Sequence, residues 1–408
     1  MTAREYPVFT VTPKAERSLR AGHPWVYGEE VTAVEGAYQN GDMVDVVSNK
    51  GRYLGTGWVN DHSKIRVRII SRNSNDTFDD AFFRRRVCYA LNYRKTVMGP
   101  VDYRCCRLIF GEADQFPGLT VDRFENILVT QVLSLGMERR KDWVYRALVE
   151  LLREDGEQID AIYERNDVTI RTLEGLEQGK GFYQMEGLRT DLSGHVTITE
   201  NGIKYDVDYI EGQKTGFFLD QKYNRQAAAK LARGRRVLDC FTHTGAFALN
   251  AAAAGAEHVT AVDVSAFALE LAAENGKRNG LTNLDYKCAD VFDLLTEMAK
   301  EKKCDYDYII LDPPAFTKSR ATAKNAYHGY KEINRKAMRL LPRGGYLATC
   351  SCSHFMTDEM FRKMLQEAAL DAGVTLRQIE ARQQAPDHPI LPEVPETDYL
   401  KFYLLQVV

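Results

Sequence analysis

The chain has 408 residues, 44% hydrophobic and 27% charged, an ordinary composition for a globular protein of roughly two to four domains. A net charge of -3 excludes binding to nucleic acid through bulk positive charge alone. The longest apolar run, Ala246 to Ala256, is too short to cross a bilayer. The start MTAREYPVFTVTPK lacks the apolar core of a secretion signal, so a cytoplasmic protein without a membrane partner is expected.

Residues 1–72 read as a small β-rich domain. VFTVTP, DMVDVVSN, YLGTGWVN and KIRVRIIS are β-type runs separated by Gly, Asn and Asp. Between the first two, Lys14 to Tyr27 reads as a short helix and a Pro-containing turn. The polar stretch 71–78 marks a break. Residues 73–190 then read as a central α+β domain: a helix from Asp79 to about Met98, strands in LIFGEA and LTVDRFENILVTQVL, a helix near 141–153, and further strands in IDAIYERND and VTIRTLEGL. Between Arg84 and Arg107 lie Arg84, Arg85, Arg86, Arg94, Lys95, Arg104 and Arg107 against one acid, Asp102, with tyrosines interleaved. Such a stretch suits phosphate contact, and equally a solvated helix face.

Residues 191–408 form the third region. HVTITENGIKYDVDYI reads as a hairpin turning at Asn201-Gly202. From about Gln221 strand and helix alternate, beginning with RVLDCF and ending with VTLRQIEARQ and YLKFYLLQVV as an antiparallel pair. This alternation predicts an α/β fold with a mostly parallel, Rossmann-like sheet. The eight cysteines include no C-x-x-C pair, so free thiols and no metal site are expected.

Ligands of such sheets sit at the carboxyl ends of the strands. Here those ends carry Asp239-Cys240-Phe241-Thr242-His243-Thr244-Gly245, then Asp263, Asp290 and Asp312-Pro313-Pro314-Ala315-Phe316. The single glycine does not match a G-x-G-x-x-G dinucleotide turn. A lone aspartate after a strand is usually a helix cap. Four in register on successive strands suggest a ligand site.

The segment 236–316 resembles the class I S-adenosylmethionine-dependent methyltransferases, in the order D-x-F-x-x-x-G, acid, Asp, D-P-P. The resemblance implies Asp239, Thr244 and Gly245 near the methionine end of the cofactor, Asp263 on the ribose and Asp290 on the adenine. It extends over about residues 8–408. IEGQKTGFFLDQKYNR (210–225), His23-Pro24-Trp25-Val26, FGEADQFPGLTVDRF (110–124), Gly329 to Asn334 and Ser351-Cys352-Ser353 resemble the bacterial large-subunit ribosomal RNA cytosine-5 methyltransferases with an N-terminal PUA domain. That family implies a PUA domain at 1–72, ribosomal RNA as substrate, and Phe218, Asp220 and Gln221 along the cofactor pocket. A homodimer is compatible with this organisation.

Carbon 5 of cytosine is a poor nucleophile until a thiolate adds to carbon 6. Cys350 and Cys352 end the fifth strand, and Cys352 occupies the family's nucleophile position. Asp312 is the candidate for contact with the cytosine ring and is also assigned to the cofactor pocket. Pro313, Pro314 and Phe316 are candidates for a base platform, and Arg84, Arg85 and Arg86 for RNA phosphates. The chain departs from other RNA cytosine-5 methyltransferases where they place a second cysteine after the proline. Here Pro314-Ala315 stands, so the base that removes the carbon-5 proton is unassigned. Two other readings stay open: an amino-group methyltransferase acting on a purine, and a non-catalytic RNA-binding assembly factor.

Overall fold

A computed structural model describes residues 5–301, 304–317 and 319–408. The chain divides into two compact units. One comprises residues 1–198, 207–219 and 386–397, and the other 199–206, 220–385 and 398–408.

The first unit begins with β1 (Val8–Val11), α1 (Pro13–Arg20), β2 (Trp25–Tyr27), β3 (Val31–Glu35), β4 (Met43–Ser48), β5 (Tyr53–Val59) and β6 (Ile65–Ser71). These strands form one sheet in the order β2-β6-β5-β4-β1-β3. Thr12 caps α1 by accepting from the Ala15 N–H, and Pro13 occupies the first turn, where no N–H is needed. The centre follows with α2 (Asp80–Val97), β7 (Cys105–Phe110), β8 (Leu119–Phe124), β9 (Ile127–Val132), α3 (Leu135–Glu138), α4 (Lys141–Glu154), β10 (Ala161–Asn166) and β11 (Gly179–Phe182), giving a sheet ordered β11-β10-β9-β8-β7. VTIRTLEGL, expected to add a strand, instead forms a 3₁₀ turn at Thr169–Glu174. Buried Arg171 explains it, donating to the Glu177 carbonyl and the Glu138 carboxylate, a geometry a strand would not give.

Residues 207–219 and 386–397 fall in this unit, although the sequence pattern runs them on with 191–408. Polar ties account for that. Thr215 Oγ1 donates to Asp122 at 2.6 Å, Arg165 to the Gly212 carbonyl at 2.7 Å, and Arg94 to the Asp387 carbonyl at 2.8 Å.

A hairpin, β12 (His195–Glu200) and β13 (Ile203–Asp208), leads toward the second unit. Its turn residues Asn201 and Gly202 have φ of 54° and 80°, the left-handed pair that a two-residue turn requires. Then come α5 (Lys222–Ala229), β14 (Arg236–Cys240), α6 (Ala246–Ala253), β15 (His258–Asp263), α7 (Ala266–Arg278), β16 (Leu284–Cys288), α8 (Val291–Glu301), β17 (Tyr308–Leu311), α9 (Ala323–Leu340), β18 (Tyr346–Ser351), α10 (Asp358–Ala372), β19 (Leu376–Arg382) and β20 (Lys401–Val407). The sheet order is β16-β15-β14-β17-β18-β20-β19, parallel from β16 to β18, with β20 antiparallel to both neighbours. The direction of winding reverses between β14 and β17, and the crevice at such a switch point holds ligands.

Both faces of this sheet are buried. Ala227, Phe247, Ala248 and Ala251 of α5 and α6 cover one face, and their small side chains allow close approach. Leu295, Tyr330, Ile333, Phe361 and Met364 of α8, α9 and α10 cover the other. Each large apolar side chain so buried contributes about 1.5–3 kcal/mol. The hairpin is tied to α5 by a fully buried ion pair, Arg225 with Glu200 at 2.6 and 2.8 Å. Arg225→Met leaves the Glu200 carboxylate buried without its partner and is expected to cost about 3–5 kcal/mol. The double variant Arg225→Met/Glu200→Gln should recover most of that loss in denaturant melts. Equal loss in both proteins would show that the pair contributes packing rather than charge compensation.

Candidate active site at the strand ends of the second unit

The strand register sets the site. Cys240 pairs with Val262 and with Leu311, and Leu311 with Thr349. One residue further on, Phe241, Asp263, Asp312 and Cys350 therefore stand side by side along the carboxyl edge.

The turn after β14 is tightly wound. Phe241, His243 and Gly245 have φ of 65°, 51° and 85°. Positive φ is strained for the first two and easy for glycine. A Cβ at Gly245 would meet Leu249 at 2.4 Å and Ala272 at 3.0 Å, so this position needs glycine for helix contact as well as for its turn. The strain of Phe241 and His243 is offset by fixed polar bonds. Thr242 Oγ1 donates to Asp239 Oδ2 at 2.6 Å, and the His243 N–H donates to Asp263 Oδ2 at 2.9 Å. The Ser265 N–H donates to Asp263 Oδ1 at 2.9 Å. Each Asp263 oxygen thus accepts one backbone N–H and keeps lone-pair capacity for a hydroxyl. Thr244, nearly buried, completes the turn. Burial keeps the His243 imidazole below its ordinary pKa, against the pull of Asp263.

Asp239 is fully buried, and its Oδ1 has no hydrogen-bond partner. Burial, reinforced by Asp312, pushes its carboxyl up to about 7. Asp290 is exposed and caps α8, its Oδ1 accepting from the N–H groups of Phe292 and Asp293 at 2.8 and 3.1 Å.

Asp312 lies at the tip of β17. Burial, with the nearby Asp220 charge, pushes its carboxyl up to about 6. Gln221 Nε2 donates to its Oδ1 at 3.0 Å. The Asp220 backbone carbonyl accepts from Ala385, and its Oδ2 accepts from Tyr399 at 2.6 Å. Phe218 falls in the first unit, with the Lys214 ammonium 4.7 Å over its ring.

Pro313 is buried and Pro314 exposed. Phe316 is half-buried, 4.5 Å from the Tyr330 ring and 5.8 Å from Phe292. A Cβ at Gly329 would stand 3.3 Å from the Phe316 ring, so that glycine admits it. Phe316 therefore anchors the loop to the core, and among residues 312–316 Pro314 is the exposed one.

Cys350 is fully buried on the α5–α6 face. Its thiol lies against Asp312 and Gln221, and burial with the Asp312 charge pushes its pKa up, which keeps it protonated. Cys352, just past the end of β18, is half-buried. Its loop is pinned on both sides. Ser353 Oγ donates to the Thr317 carbonyl at 2.9 Å, and the buried Lys401 ammonium donates to the Ser353 and Tyr399 carbonyls at 2.6 and 2.7 Å. Burial lowers the Lys401 pKa to about 8.

Thr242, Asn224, Ser353 and Lys401 were assigned no role from the sequence. Lys401 had a signal, as a cation inside the apolar run YLKFYLLQVV. So did Asn224, three residues after Gln221 and hence on the same helical face.

In the first unit the basic stretch is already compensated. Arg84 pairs with Glu150 and Glu154 at 2.8 Å, and Arg85 with Asp76 at 3.3 Å. Arg94, Lys95, Arg104 and Arg107 meet Asp114, Asp155, Glu125 and Asp122. Arg86 donates to the Gln115 carbonyl at 3.2 Å and lies over the Phe82 ring at 4.4 Å. This leaves far less free positive charge than the composition suggests. Among the described residues, no group of His, Cys, Asp and Glu is arranged to hold a metal, and no helix is long and apolar enough to cross a membrane.

A parallel sheet with its switch point between β14 and β17, an acid on each of the first strands and a D-P-P tip defines an S-adenosylmethionine-dependent methyltransferase. Family models agree: residues 9–72 match a PUA-like domain and residues 183–405 an S-adenosylmethionine-dependent methyltransferase. The chain is 40% identical over 401 residues to the "Ribosomal RNA large subunit methyltransferase I" of Pseudoalteromonas atlantica, covering 98% of this chain and 99% of that one. With the protein of the same name from Shewanella denitrificans it shares 42% over 399 residues, 97% of this chain and 98% of the other. A solved structure described as "a putative sam-dependent methyltransferase from Streptococcus mutans" has the same fold, with a TM-score of 0.81 at 22% identity, covering 98% of this chain and 100% of that one. A methyltransferase solved in complex with SAH gives 0.82 at 22% identity over the same shares. The chain belongs to the ribosomal RNA large subunit methyltransferase I family and is an S-adenosylmethionine-dependent enzyme.

The residues present fit that cofactor. The unpartnered, buried Oδ1 of Asp239 suits an ammonium donor, and the oriented Asp263 carboxylate suits a pair of hydroxyls. Asp239 also carries a pH signature. Its folded pKa of about 7 lies above the ordinary carboxyl range near 4, so the folded state keeps a proton that the unfolded chain loses above about pH 4. This penalty is absent below pH 4, grows as pH rises toward 7 and is then constant. Asp239→Asn removes it. In the cofactor-free protein, the variant should gain on the order of 2–4 kcal/mol relative to wild type between pH 5 and 8. Parallel stability–pH curves would remove the assignment.

Proposed function

We propose that the enzyme methylates carbon 5 of a cytosine in large-subunit ribosomal RNA, in the cytoplasm, with Cys352 as nucleophile. The observation that carries this reading is the contrast between the two thiols of the fifth strand. Cys350 is sealed and held protonated, whereas Cys352 is half-buried on a loop pinned beside Asp312's strand. The names of the curated relatives support the RNA, and the PUA-like match supports an RNA contact in the first unit.

Asp239, Thr244 and Gly245 would hold the methionine portion of the cofactor, with Asp263 on the ribose hydroxyls and Asp290 beside the adenine. Asp220 and Gln221 would flank it. S-adenosylmethionine supplies, when bound, an electrophilic methyl on a sulfonium.

In this chemistry the Cys352 thiolate forms a bond to carbon 6, and the electron pair of the 5,6 double bond moves to carbon 5. Protonated Asp312 gives its proton to the ring at N3, which offsets the charge delivered by the thiolate. Carbon 5 takes the methyl and then loses its proton to water or hydroxide. The sulfur–carbon 6 bond breaks, the double bond re-forms, and N3 returns its proton to Asp312. Pro314 is the exposed surface for a flipped base, since a base inside a duplex cannot be reached from both faces. Arg84, Arg85 and Arg86 would meet phosphates only by exchanging their present partners.

The test uses transcribed large-subunit RNA, labelled cofactor and mass spectrometry of the digested nucleosides. Wild type is expected to yield 5-methylcytidine, and Cys352→Ala to lose on the order of a thousandfold or more in rate. A methylated purine, or equal rates in the two proteins, would favour amino-group transfer at the D-P-P loop.

A further inference from the structure

Asp312 is held by a chain of hydrogen bonds whose direction is set at its far end. Arg382 at the end of β19 has donors only, and its Nε donates to Asn224 Oδ1 at 3.1 Å. The Gln383 carbonyl can only accept, and it takes an N–H from Asn224 Nδ2 at 3.2 Å. These two partners permit one orientation of the Asn224 amide. Nδ2 also donates to Gln221 Oε1 at 2.7 Å, which turns Gln221 Nε2 to Asp312 Oδ1 at 3.0 Å. Asn224 is 1% exposed and Gln221 4%, so bulk solvent does not reach these amides. Reversing either amide would set like groups against each other.

We propose that Arg382 and Asn224 are positioning residues that act through Gln221 to fix Oδ1 of Asp312 as an acceptor, so that the proton Asp312 gives and takes back is carried on Oδ2. This rests on the role given to Asp312 above. Neither residue touches the reacting atoms. The groups that face Asp312 are Asp220 and Gln221 ahead of α5, Arg225 of α5, Asp239 of β14, Cys350 of β18 and Tyr330 of α9. Asp220 and Asp239 favour its protonated form. Arg225, the Cys350 thiol and the Gln221 N–H favour its ionised form. Loss of the directed N–H therefore favours protonation, and a Gln221 carbonyl turned toward Oδ1 draws the proton to the wrong oxygen.

Asn224→Ala and Asn224→Asp both remove the N–H that directs Gln221, and only the second adds charge. The readout is tritium transfer from labelled cofactor to large-subunit RNA between pH 5 and 9. Both variants are expected to lower kcat about tenfold, with KM for RNA and cofactor within about threefold. The alkaline limb of kcat, where Asp312 loses its proton, should move up by about one pH unit. Arg382→Lys, still a donor only, should keep the wild-type limb. A limb that moves in Asn224→Asp alone would mean through-space charge and overturn the relay, as would rate loss without any shift. Should the Asn224 variants not fold, Arg382→Met removes the director from a half-exposed position, and an unmoved limb there also overturns the proposal. Nucleoside identity is read from the same reactions. A product other than 5-methylcytidine would sink the proposed chemistry, whereas an unmoved limb with 5-methylcytidine formed would sink only the relay.

Discussion

The parallel register of β14, β17 and β18 pairs Cys240 with Leu311 and Leu311 with Thr349, and the proposed chemistry depends on it. A one-residue slip would send each side chain to the opposite face of the sheet. Asp312 would then leave Gln221 for the apolar side packed by Ile333 and Phe361, and Cys350 would leave the α5–α6 side. The register is held by burial on both faces, since Leu238, Ile309 and Leu347 fill one side while Val237, Ile310 and Ala348 fill the other. Apolar packing thus places the polar groups, and the polar groups are then tuned by their bonds.

That tuning divides the strand-tip acids by role. Asp263 accepts two backbone N–H groups and is a prepared acceptor. Asp239 is sealed from solvent and Asp312 half-buried, and both carboxyls are raised toward neutrality, to about 7 and about 6. A carboxyl near neutrality can hold and release a proton under working conditions, as acid–base chemistry requires. The thiols divide in the same way. Cys350 stays protonated as part of the core, and Cys352 sits on a loop fixed by Ser353 and Lys401.

Much of this was legible in the sequence because strand ends are marked by where apolar runs stop. Asp239, Asp263, Asp290 and Asp312 stood out that way, as did the Asn201-Gly202 turn and the antiparallel pair at the C-terminus. What was not legible depends on contacts distant in sequence. Arg382 meets Asn224 across 158 residues, and Lys401 meets Ser353 across 48. No local pattern announces such pairs. The ion pairs of the basic stretch were hidden for a related reason: its charges are met by Glu150, Glu154, Asp155 and Asp122, which composition counts but does not place. Thr169–Glu174 was read as a strand because its β-branched residues carry strand propensity, and the tertiary bonds of Arg171 override it.

The central claim is that Cys352 forms a covalent bond to carbon 6 of a cytosine. RNA containing 5-fluorocytidine tests it directly, because fluorine at carbon 5 cannot leave as a proton and the thiolate adduct cannot be released. The account predicts a stable protein–RNA complex that requires S-adenosylmethionine, with the adduct on the peptide containing Cys352 and none formed by Cys352→Ala. An adduct on Cys350, or no adduct from a protein that makes 5-methylcytidine on ordinary RNA, would contradict it.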